Sequence, residues 1–204
     1  MSNIHGLAAI IRQYYPQYWG ISKYPINKCC AIRKTKDEWG ILGNFGNVPL
    51  VIDSITFKNS EQLYHLFKFK YPEAIRDIYA SSAGMGVKMK AKHWEKTSRR
   101  NDWENMVVDA MKFVLTLKFK QSDDFRQALA ESEGHYIVED QTSRKRGKSA
   151  DCWGVVDDGN GNYVGPNLLG RLLMELRDGN GTLDYHLPDD AFKFVEVLKL
   201  QQKS

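Results

Sequence analysis

Hydrophobic positions recur at helical spacing through most of the chain, and this pattern predicts a mainly α-helical fold. The clearest segment follows Asp102, the expected N-cap, and keeps its apolar stripe for more than three turns. Another runs from Leu168 to Leu176, with Gly179 just past its end. Further helices are expected over 4–15, from Ser60 as N-cap to about Lys70, from Pro72, over 85–92, from Ser122, and from Asp189 or Asp190.

Strand-like patterns are few and short. The run VPLVIDSITF (48–57) is rich in β-branched residues on both sides of Asp53 and Ser54, which predicts a small hairpin. Residues 135–139 are compatible with a short strand, whereas 17–31 are expected to be irregular and 140–166 to form a long polar loop. Because no repeat or low-complexity linker divides the chain, we expect one mainly α domain over 1–204 with a minor sheet.

Composition narrows the class of protein only modestly. The 204 residues include 29 basic and 25 acidic side chains, and the net charge of +4 permits a polyanionic partner without requiring one. Three cysteines, of which Cys29 and Cys30 are adjacent, argue against a disulfide framework and favour a reducing compartment. With no signal-peptide pattern and no apolar run near the roughly 18 residues of a membrane span, a soluble cytoplasmic protein without a membrane partner is expected.

Common metal and nucleotide motifs are not found. The cysteines and histidines lack zinc-ligand spacing, and the chain has no glycine-rich phosphate loop. The stretch that starts at Asp158 begins like a calcium loop, but Tyr163 stands where glycine is required and Leu169 where the bidentate glutamate should be. The sequence therefore predicts no metal and no cofactor.

Six segments combine polar and aromatic residues in an unusual way. They are IRKTKDEWGILGNF (32–45), SEQLYHLFKF (60–69), the stretch 81–90, the stretch 98–121, YIVED (136–140) with DCWG (151–154), and GPNLLGRLLMELR (165–177). Taken in this order, they resemble the NADAR superfamily of YbiA-like proteins, which is associated with NAD and ADP-ribose metabolism, over roughly 32–178. The resemblance implies a mainly helical orthogonal bundle and N-glycosidase activity.

The resemblance also implies a choice between substrates. Some members cleave the ribosylamino bond of riboflavin-pathway intermediates, and others remove ADP-ribose from guanine in nucleic acid and so reverse a toxin. Lys34 in the IRKT–DEWG entry and the segment that begins at Ser60 look closer to the second group. We therefore expect a hydrolase of ADP-ribosyl-guanine in DNA or RNA, the antitoxin of an ADP-ribosyltransferase. A riboflavin-type N-glycosidase and a non-catalytic ADP-ribose or NAD-binding module stay open as alternatives, as does the oligomeric state.

Three residues are the catalytic candidates that the resemblance implies. Glu61 alone would be an ordinary first-turn glutamate that favours the helix dipole. In its motif it is the carboxylate that stabilises an oxocarbenium ion or activates water. Asp151, in the D-x-W-G segment, is the second carboxylate. Lys34 is a nucleophile that forms a Schiff base with the opened sugar, or a phosphate contact, or a solvated surface lysine.

The remaining candidates bind rather than react. The ligand-binding set comprises Arg33, Asn44, Phe45, Lys68, Trp153 and Gly154. The nucleic-acid set is the basic run Arg144, Lys145, Arg146 and Lys148, for which a solvated loop is an equal alternative. The chain departs from the family pattern at Gly43, where a serine is usual, and at His65, where a glutamine is usual.

Overall fold

The computed structural model describes residues 6–82, 84–145 and 147–202, and these residues are mainly helical with a few short strands, as predicted. The chain divides into two units, of which the first contains 1–43 and 124–182 and the second 44–123 and 183–204. Within the described ranges, no helix is both long and apolar enough to cross a bilayer. The orthogonal packing and the single domain stay predictions.

The elements are numbered in chain order. The helices are α1 (Leu7–Tyr14), α2 (Ser60–Leu66), α3 (Pro72–Ala80), α4 (Met85–Ser98), α5 (Val107–Gln121), α6 (Asp123–Glu131), α7 (Thr142–Lys145), α8 (Leu168–Asp178) and α9 (Lys193–Gln202). The strands are β1 (Ser22–Pro25), β2 (Cys29–Ile32), β3 (Leu50–Ile52), β4 (Ile55–Phe57), β5 (Tyr136–Glu139), β6 (Val156–Asp157) and β7 (Asn162–Gly165).

The first unit is built on two small sheets. Strand β2 pairs in parallel with β5, from Cys29 opposite Tyr136 to Ile32 opposite Glu139. Strands β1, β7 and β6 form an antiparallel sheet in that order. Helix α8 packs on β5 with the five leucines of its predicted apolar face buried, which confirms the helical pattern read there.

The side chain of Asn167, which precedes α8, is hydrogen-bonded to the backbone of β5. The residue lies in the left-handed region, with φ 54° and ψ 41°, and is fully buried. Its side-chain Nδ2 donates to the carbonyl of Ile137 at 2.9 Å, and its Oδ1 accepts from the backbone N–H of Glu139 at 3.2 Å. One asparagine therefore satisfies two buried backbone groups of the strand, which would otherwise cost free energy.

The second unit surrounds α2. Helices α3, α4 and α5 all pack against it, and α9 packs on α3. Phe67, at the end of α2, meets the rings of Phe113, Phe192 and Phe194 edge-on, with centroids 4.9 to 5.5 Å apart. The predicted hairpin is confirmed as β3 and β4, and its turn residues Asp53 and Ser54 both have positive φ.

Two predicted helix caps were wrong. Asp102 precedes a 3-10 turn at 103–105, and its carboxylate accepts from Arg100 Nε at 2.6 Å instead of capping α5, which begins at Val107. The α2 cap is Asn59, whose side chain accepts from the N–H of Gln62 at 3.0 Å, so Ser60 is the first helical residue. Asp102 binds Arg100 and therefore does not cap α5, and the side-chain amide of Asn59 caps α2 in place of Ser60.

Two helix ends differ from the prediction, and two segments contain elements that were not predicted. Helix α4 continues to Ser98, beyond the predicted end at 92, and α2 ends at Leu66, short of the predicted end near 70. The irregular segment 17–31 contains β1 and β2, and the long loop 140–166 contains α7, β6 and β7. Strands β1 and β2 were missed because their partners lie more than a hundred residues away along the chain. Strand β6 has only two residues and pairs with the nearby β7, too short a run to show a strand pattern.

Replacing Asn167 by alanine is expected to destabilise the protein by about 2–4 kcal/mol, because two buried backbone groups of β5 lose their partners. Asn180 is the matched control, since it is also left-handed, with φ 51°, but exposed. Urea unfolding should give a loss of about 1 kcal/mol or less for Asn180→Ala. Equal losses for the two variants would mean that backbone strain alone, and not the side-chain hydrogen bonds, accounts for the effect.

Candidate active site

Helix α2 is buried on all sides although half of it is polar. All seven residues from Ser60 to Leu66 are buried, including Glu61, Gln62 and His65. A helix that is buried all round is normally apolar, because each buried polar group needs a partner. Gln62 has such partners: its Oε1 accepts from the N–H of Lys58, and its Nε2 donates to the carbonyl of Tyr79. Glu61 and His65 differ from Gln62, because they are paired with each other.

Glu61 and His65 form a buried pair one helical turn apart. His65 Nε2 lies 2.9 Å from Glu61 Oε1, and each side chain is only 7% exposed. Lys88 Nζ, from α4, lies 3.8 Å from the same oxygen. Among the described residues no side chain hydrogen-bonds to Oε2, so the second carboxylate oxygen is left for a ligand or for water.

The environment makes Glu61 a carboxylate and His65 a neutral imidazole. Burial alone would raise the pKa of Glu61, but the hydrogen bond from His65 and the nearby charges of Lys88 and Lys68 outweigh it and lower the pKa below its ordinary value. Burial lowers the pKa of His65 more than the bond to Glu61 raises it. At neutral pH, His65 therefore donates its Nε2–H to an ionised Glu61.

Lys68 brings a second ammonium group to the surroundings of Glu61. It follows the end of α2, and its Nζ lies 5.4 Å from the ring centroid of Trp103 and 5.9 Å from that of Tyr64. Glu95 Oε1 is 3.8 Å away. Burial lowers the pKa of Lys68 although the charges of Glu95 and Glu61 raise it. An anionic group placed beside Lys68 would be stabilised by a charge that water screens poorly.

Asn44 and Phe45 lie close to Glu61 and Lys88 in the second unit. The carbonyl of Asn44 accepts from the N–H of Glu61 at 3.0 Å, which ties the segment to the first turn of α2. The Phe45 ring lies under the ammonium of Lys88, 5.5 Å from its centroid. The structure thus brings four of the predicted residues (Glu61, Asn44, Phe45 and Lys68) into one neighbourhood.

Several polar atoms in this neighbourhood are buried without a hydrogen-bond partner in the described chain. They are Asn44 Oδ1, Ser60 Oγ and His65 Nδ1. Buried polar atoms in native proteins are nearly always satisfied by protein, water or ligand. Three unsatisfied atoms within 22 residues of sequence, next to an ionised buried carboxylate, mark this region as a place for a polar ligand.

The first unit holds Asp151 in a different arrangement. Its Oδ1 accepts from Gln141 Nε2 at 2.7 Å and from the Trp153 N–H at 3.0 Å, and Oδ2 lies 3.1 Å from Lys145 Nζ. Burial raises the pKa of Asp151, but these hydrogen bonds and the Lys145 charge lower it overall. Asp151 is thus ionised and oriented, and half of its side chain is exposed.

Arg33 and Lys34 follow β2, and the side chain of Arg33 is hydrogen-bonded whereas that of Lys34 is exposed. The guanidinium of Arg33 donates to Asp140 Oδ2 at 2.9 Å and to the Tyr163 hydroxyl at 2.7 Å, which joins β2 to β7. Lys34 is exposed, and its backbone N–H donates to Asp37 at 3.3 Å. Arg33 is therefore engaged in holding the first unit together, whereas the Lys34 side chain points to solvent.

Trp153 and Gly154 also belong to the first unit. Trp153 is half-buried. A Cβ at Gly154 would lie 2.3 Å from the carbonyl oxygen of Glu139, so glycine is required there by the chain's own packing. This requirement exists without any ligand.

The basic run of 144–148 is partly neutralised. Arg144 Nη2 lies 2.8 Å from Glu139 Oε1, and Lys145 is paired with Asp151. Lys148 is exposed, and Arg146 lies outside the described residues. The predicted role of this run in binding nucleic acid is untested, but two of its charges already have carboxylate partners.

Sequence reasoning identified Glu61 and Lys68 as site residues, but not His65 and Lys88, which also set the ionisation of Glu61. The spacing of four between Glu61 and His65 was a signal, since such residues face each other on a helix. Lys88 gave no signal, because only the packing of α4 on α2 brings it close. In the described ranges, no group of three or more metal-ligand side chains is assembled.

His65 makes the stability of the protein depend on pH. Its folded pKa lies below the ordinary value of 6.5, so the unfolded chain binds more protons and stability is lost as the pH falls below about 6.5. We expect wild type to lose up to about 1.4 kcal/mol per pH unit between 6.5 and the folded pKa. In His65→Gln this part of the loss should vanish.

Chemical denaturation at a series of pH values from 5 to 8 measures this dependence. The variant His186→Gln, which removes an exposed imidazole and leaves the buried pair intact, should retain the wild-type slope. If His65→Gln kept that slope as well, His65 would not be neutral in the folded protein.

Comparison with known proteins places these residues in a family context. Residues 30–179 match the NADAR domain family. The chain is 34% identical over 147 residues to N-glycosidase YbiA of Shigella boydii, an alignment that covers 71% of this chain and 83% of the relative. It is 33% identical, with the same coverage, to the protein of that name from Escherichia coli K12.

Two further similarities extend this picture. A protein of Vibrio vulnificus named a riboflavin biosynthesis protein is 26% identical over 168 residues, which cover 80% of this chain and 41% of that protein. The NMR structure of the E. coli protein YbiA superposes with a TM-score of 0.61 at 26% identity, over 79% of this chain and 91% of the other. With a family match over most of its length and relatives above 30% identity, the chain belongs to the NADAR domain family.

Proposed function

We propose that this protein is an N-glycosidase that hydrolyses the bond between ADP-ribose and a guanine base in DNA or RNA. The observation that supports it best is the buried, ionised carboxylate of Glu61 with two lysines beside it. The YbiA relatives are named N-glycosidases, and these names support hydrolysis of an N-glycosidic bond as the class of reaction. The guanine substrate is proposed from the entry motif around Lys34 and from the charge of the chain.

The ionisation of Glu61 limits what it does in the reaction. Cleavage of an N-glycosidic bond builds positive charge at the anomeric carbon of the sugar. A carboxylate with a lowered pKa stabilises that charge or accepts a proton from the attacking water, but it has no proton to give to the leaving base. The bond from His65 engages Oε1 and leaves Oε2 for the sugar or the water.

The lysines fit a phosphorylated substrate. Lys88 is half-exposed and Lys68 is mostly buried, and both lie close enough to Glu61 to lower its pKa. Either ammonium could pair with a phosphate of the ADP-ribose diphosphate group. As a phosphate approached, it would also compete with Glu61 for these cations.

Two features of the chain favour a nucleic-acid substrate. The entry motif around Lys34 resembles that of family members that act on ADP-ribosylated guanine, and the net charge of +4 suits a polyanion. In this proposal, the protein reverses the modification made by an ADP-ribosyltransferase toxin. Co-expression with such a toxin, with cell survival as the readout, tests this role as an antitoxin.

A second candidate function is favoured by the Vibrio relative. Its name connects part of the family to riboflavin biosynthesis, where the substrate would be a ribosylamino-pyrimidine phosphate. Glu61 and one lysine would serve that substrate equally well. The two candidates differ in whether the polynucleotide is needed, so parallel assays with both substrates separate them.

For the proposed reaction, Glu61→Gln is expected to lower kcat by about 10²–10⁴-fold on an ADP-ribosylated guanine oligonucleotide, because the charge that stabilises the sugar cation is lost. Release of ADP-ribose, separated by chromatography, is the measurement. Glu73→Gln is the matched control: Glu73 is also a first-turn glutamate, at the start of α3, but it is exposed. It should retain wild-type activity.

Activity of the wild type on the two substrates separates the candidate functions. If wild type released no ADP-ribose but hydrolysed the ribosylamine phosphate, the second candidate would be correct. If it hydrolysed neither and still bound ADP-ribose in a calorimeter, it would be a binding module. In the same assay, Lys34→Ala and Asp151→Asn test the predicted roles of those two residues one at a time.

A further inference from the structure

One face of α4 carries a row of exposed lysines. Lys88, Lys92 and Lys96 follow one another at intervals of four, and all three are exposed. Residues spaced by four lie on one side of a helix, about 6 Å apart along its axis, so the row is about 12 Å long. We call these three residues the α4 lysine ridge.

The ridge faces solvent because the other side of α4 is packed. Val87 and Ala91 are buried where α4 contacts α2 and α3. Lys90 lies off the ridge and is paired with Asp77 at 3.0 Å. The ridge is thus the outward surface of a helix whose position is already fixed by its apolar contacts.

Within the described residues, two of the three ridge lysines lack an acidic partner, and Lys88 has Glu61. The single acidic residue of α4, Glu95, is 3.8 Å from Lys68 and 4.0 Å from Arg99. No carboxylate of the described chain lies within ion-pair distance of Lys92 or Lys96. Like charges four apart on a helix repel each other and destabilise it. The arrangement therefore costs stability in the free protein, and an external anion would recover that cost.

Helix α4 has an excess of positive charge. With four lysines and one glutamate, α4 carries a net charge of +3, and the whole protein carries +4 with histidines neutral. In the basic run 144–148, Arg144 and Lys145 have carboxylate partners at 2.8 and 3.1 Å, whereas Lys92 and Lys96 of α4 have none among the described residues. Of the two, α4 is the better surface for a polyanion.

The ridge begins at the candidate active site. Lys88 Nζ lies 3.8 Å from Glu61 Oε1, and Lys92 and Lys96 continue one and two turns further along α4. Met85 and Met89 lie on the same outward face and are 65% and 67% exposed. Flexible thioether side chains make favourable contacts with aromatic rings, including unstacked bases. The face thus offers cations for phosphates and apolar side chains for bases.

We propose that the α4 lysine ridge binds the sugar–phosphate backbone of the nucleic acid next to the modified guanine and leads the strand away from Glu61. This inference rests on the proposed function for the identity of the substrate. Each of the three ammonium groups along the 12 Å ridge could neutralise one phosphate of the strand. Binding of this kind is independent of sequence and positions the strand for the reaction.

An anionic membrane is a less suitable partner for the same charges. Helices that bind membranes insert a broad apolar face beside their basic residues. In α4 that face is buried against α2 and α3, and only the two methionines remain outside. The ridge therefore has enough positive charge to attract an anionic lipid surface, but α4 exposes too little apolar area to insert into the membrane.

The test is binding of a fluorescently labelled, unmodified single-stranded oligodeoxynucleotide, followed by anisotropy over a series of salt concentrations. For Lys92→Gln/Lys96→Gln, the affinity is expected to fall about tenfold near 0.1 M salt. The slope of log K against log salt should become shallower by about 1.4, since each phosphate contact on a single strand contributes about 0.7. Both positions are exposed, and thermal unfolding checks that the variant is folded.

The charge-matched control is Lys23→Gln/Lys28→Gln. These two lysines are exposed, belong to the first unit, and form no ion pair within the described chain. This control should keep the wild-type affinity and slope. If it lost as much as the ridge variant, the effect would be one of net charge and the proposal would be wrong.

The remaining outcomes separate this inference from the proposed function. Wild-type affinity and slope in Lys92→Gln/Lys96→Gln would overturn the ridge even if the enzyme released ADP-ribose. A loss confined to the ridge variant would support it even if no substrate were hydrolysed. Binding to vesicles with anionic lipid, without binding to the oligonucleotide, would also overturn it.

Discussion

The buried hydrogen bond between His65 and Glu61 is the constraint on which the second unit depends. Helix α2 lies at the centre of that unit, with α3, α4 and α5 packed around it, so none of its faces reaches open solvent. A carboxylate in such a place would normally take up a proton. The imidazole donor, together with Lys88 and Lys68, keeps it ionised instead. Stability and candidate chemistry therefore rest on the same few groups.

This arrangement explains why polar residues occupy a core helix. Gln62 is satisfied by the backbone of neighbouring segments and serves the fold. Glu61 keeps one carboxylate oxygen without a hydrogen bond from the described chain, and His65 keeps one unpaired nitrogen. Proteins that break the rules of core packing usually do so at functional sites. The difference between Gln62 and its neighbours separates a structural polar group from a functional one.

The parts of the fold that were read from the sequence are those fixed by local patterns. The leucines of α8 and the turn at Asp53 gave correct elements because helical spacing and turn chemistry act over a few residues. The pairing of β2 with β5 was missed because it joins residues more than a hundred positions apart. For the site, the family resemblance pointed to Glu61. Lys88 reaches Glu61 only through the packing of α4, which no local pattern encodes.

The discontinuous second unit has a consequence for synthesis. Phe192 and Phe194 come from the last part of the chain, beyond the family match at 30–179, and they close the aromatic cluster around Phe67 at the end of α2. Because a ribosome releases the chain from its N-terminus onwards, Glu61 emerges more than a hundred residues before its helix can be fully enclosed. Until that segment has been made, the ring of Phe67 at the end of α2 has only Phe113 of its three phenylalanine partners.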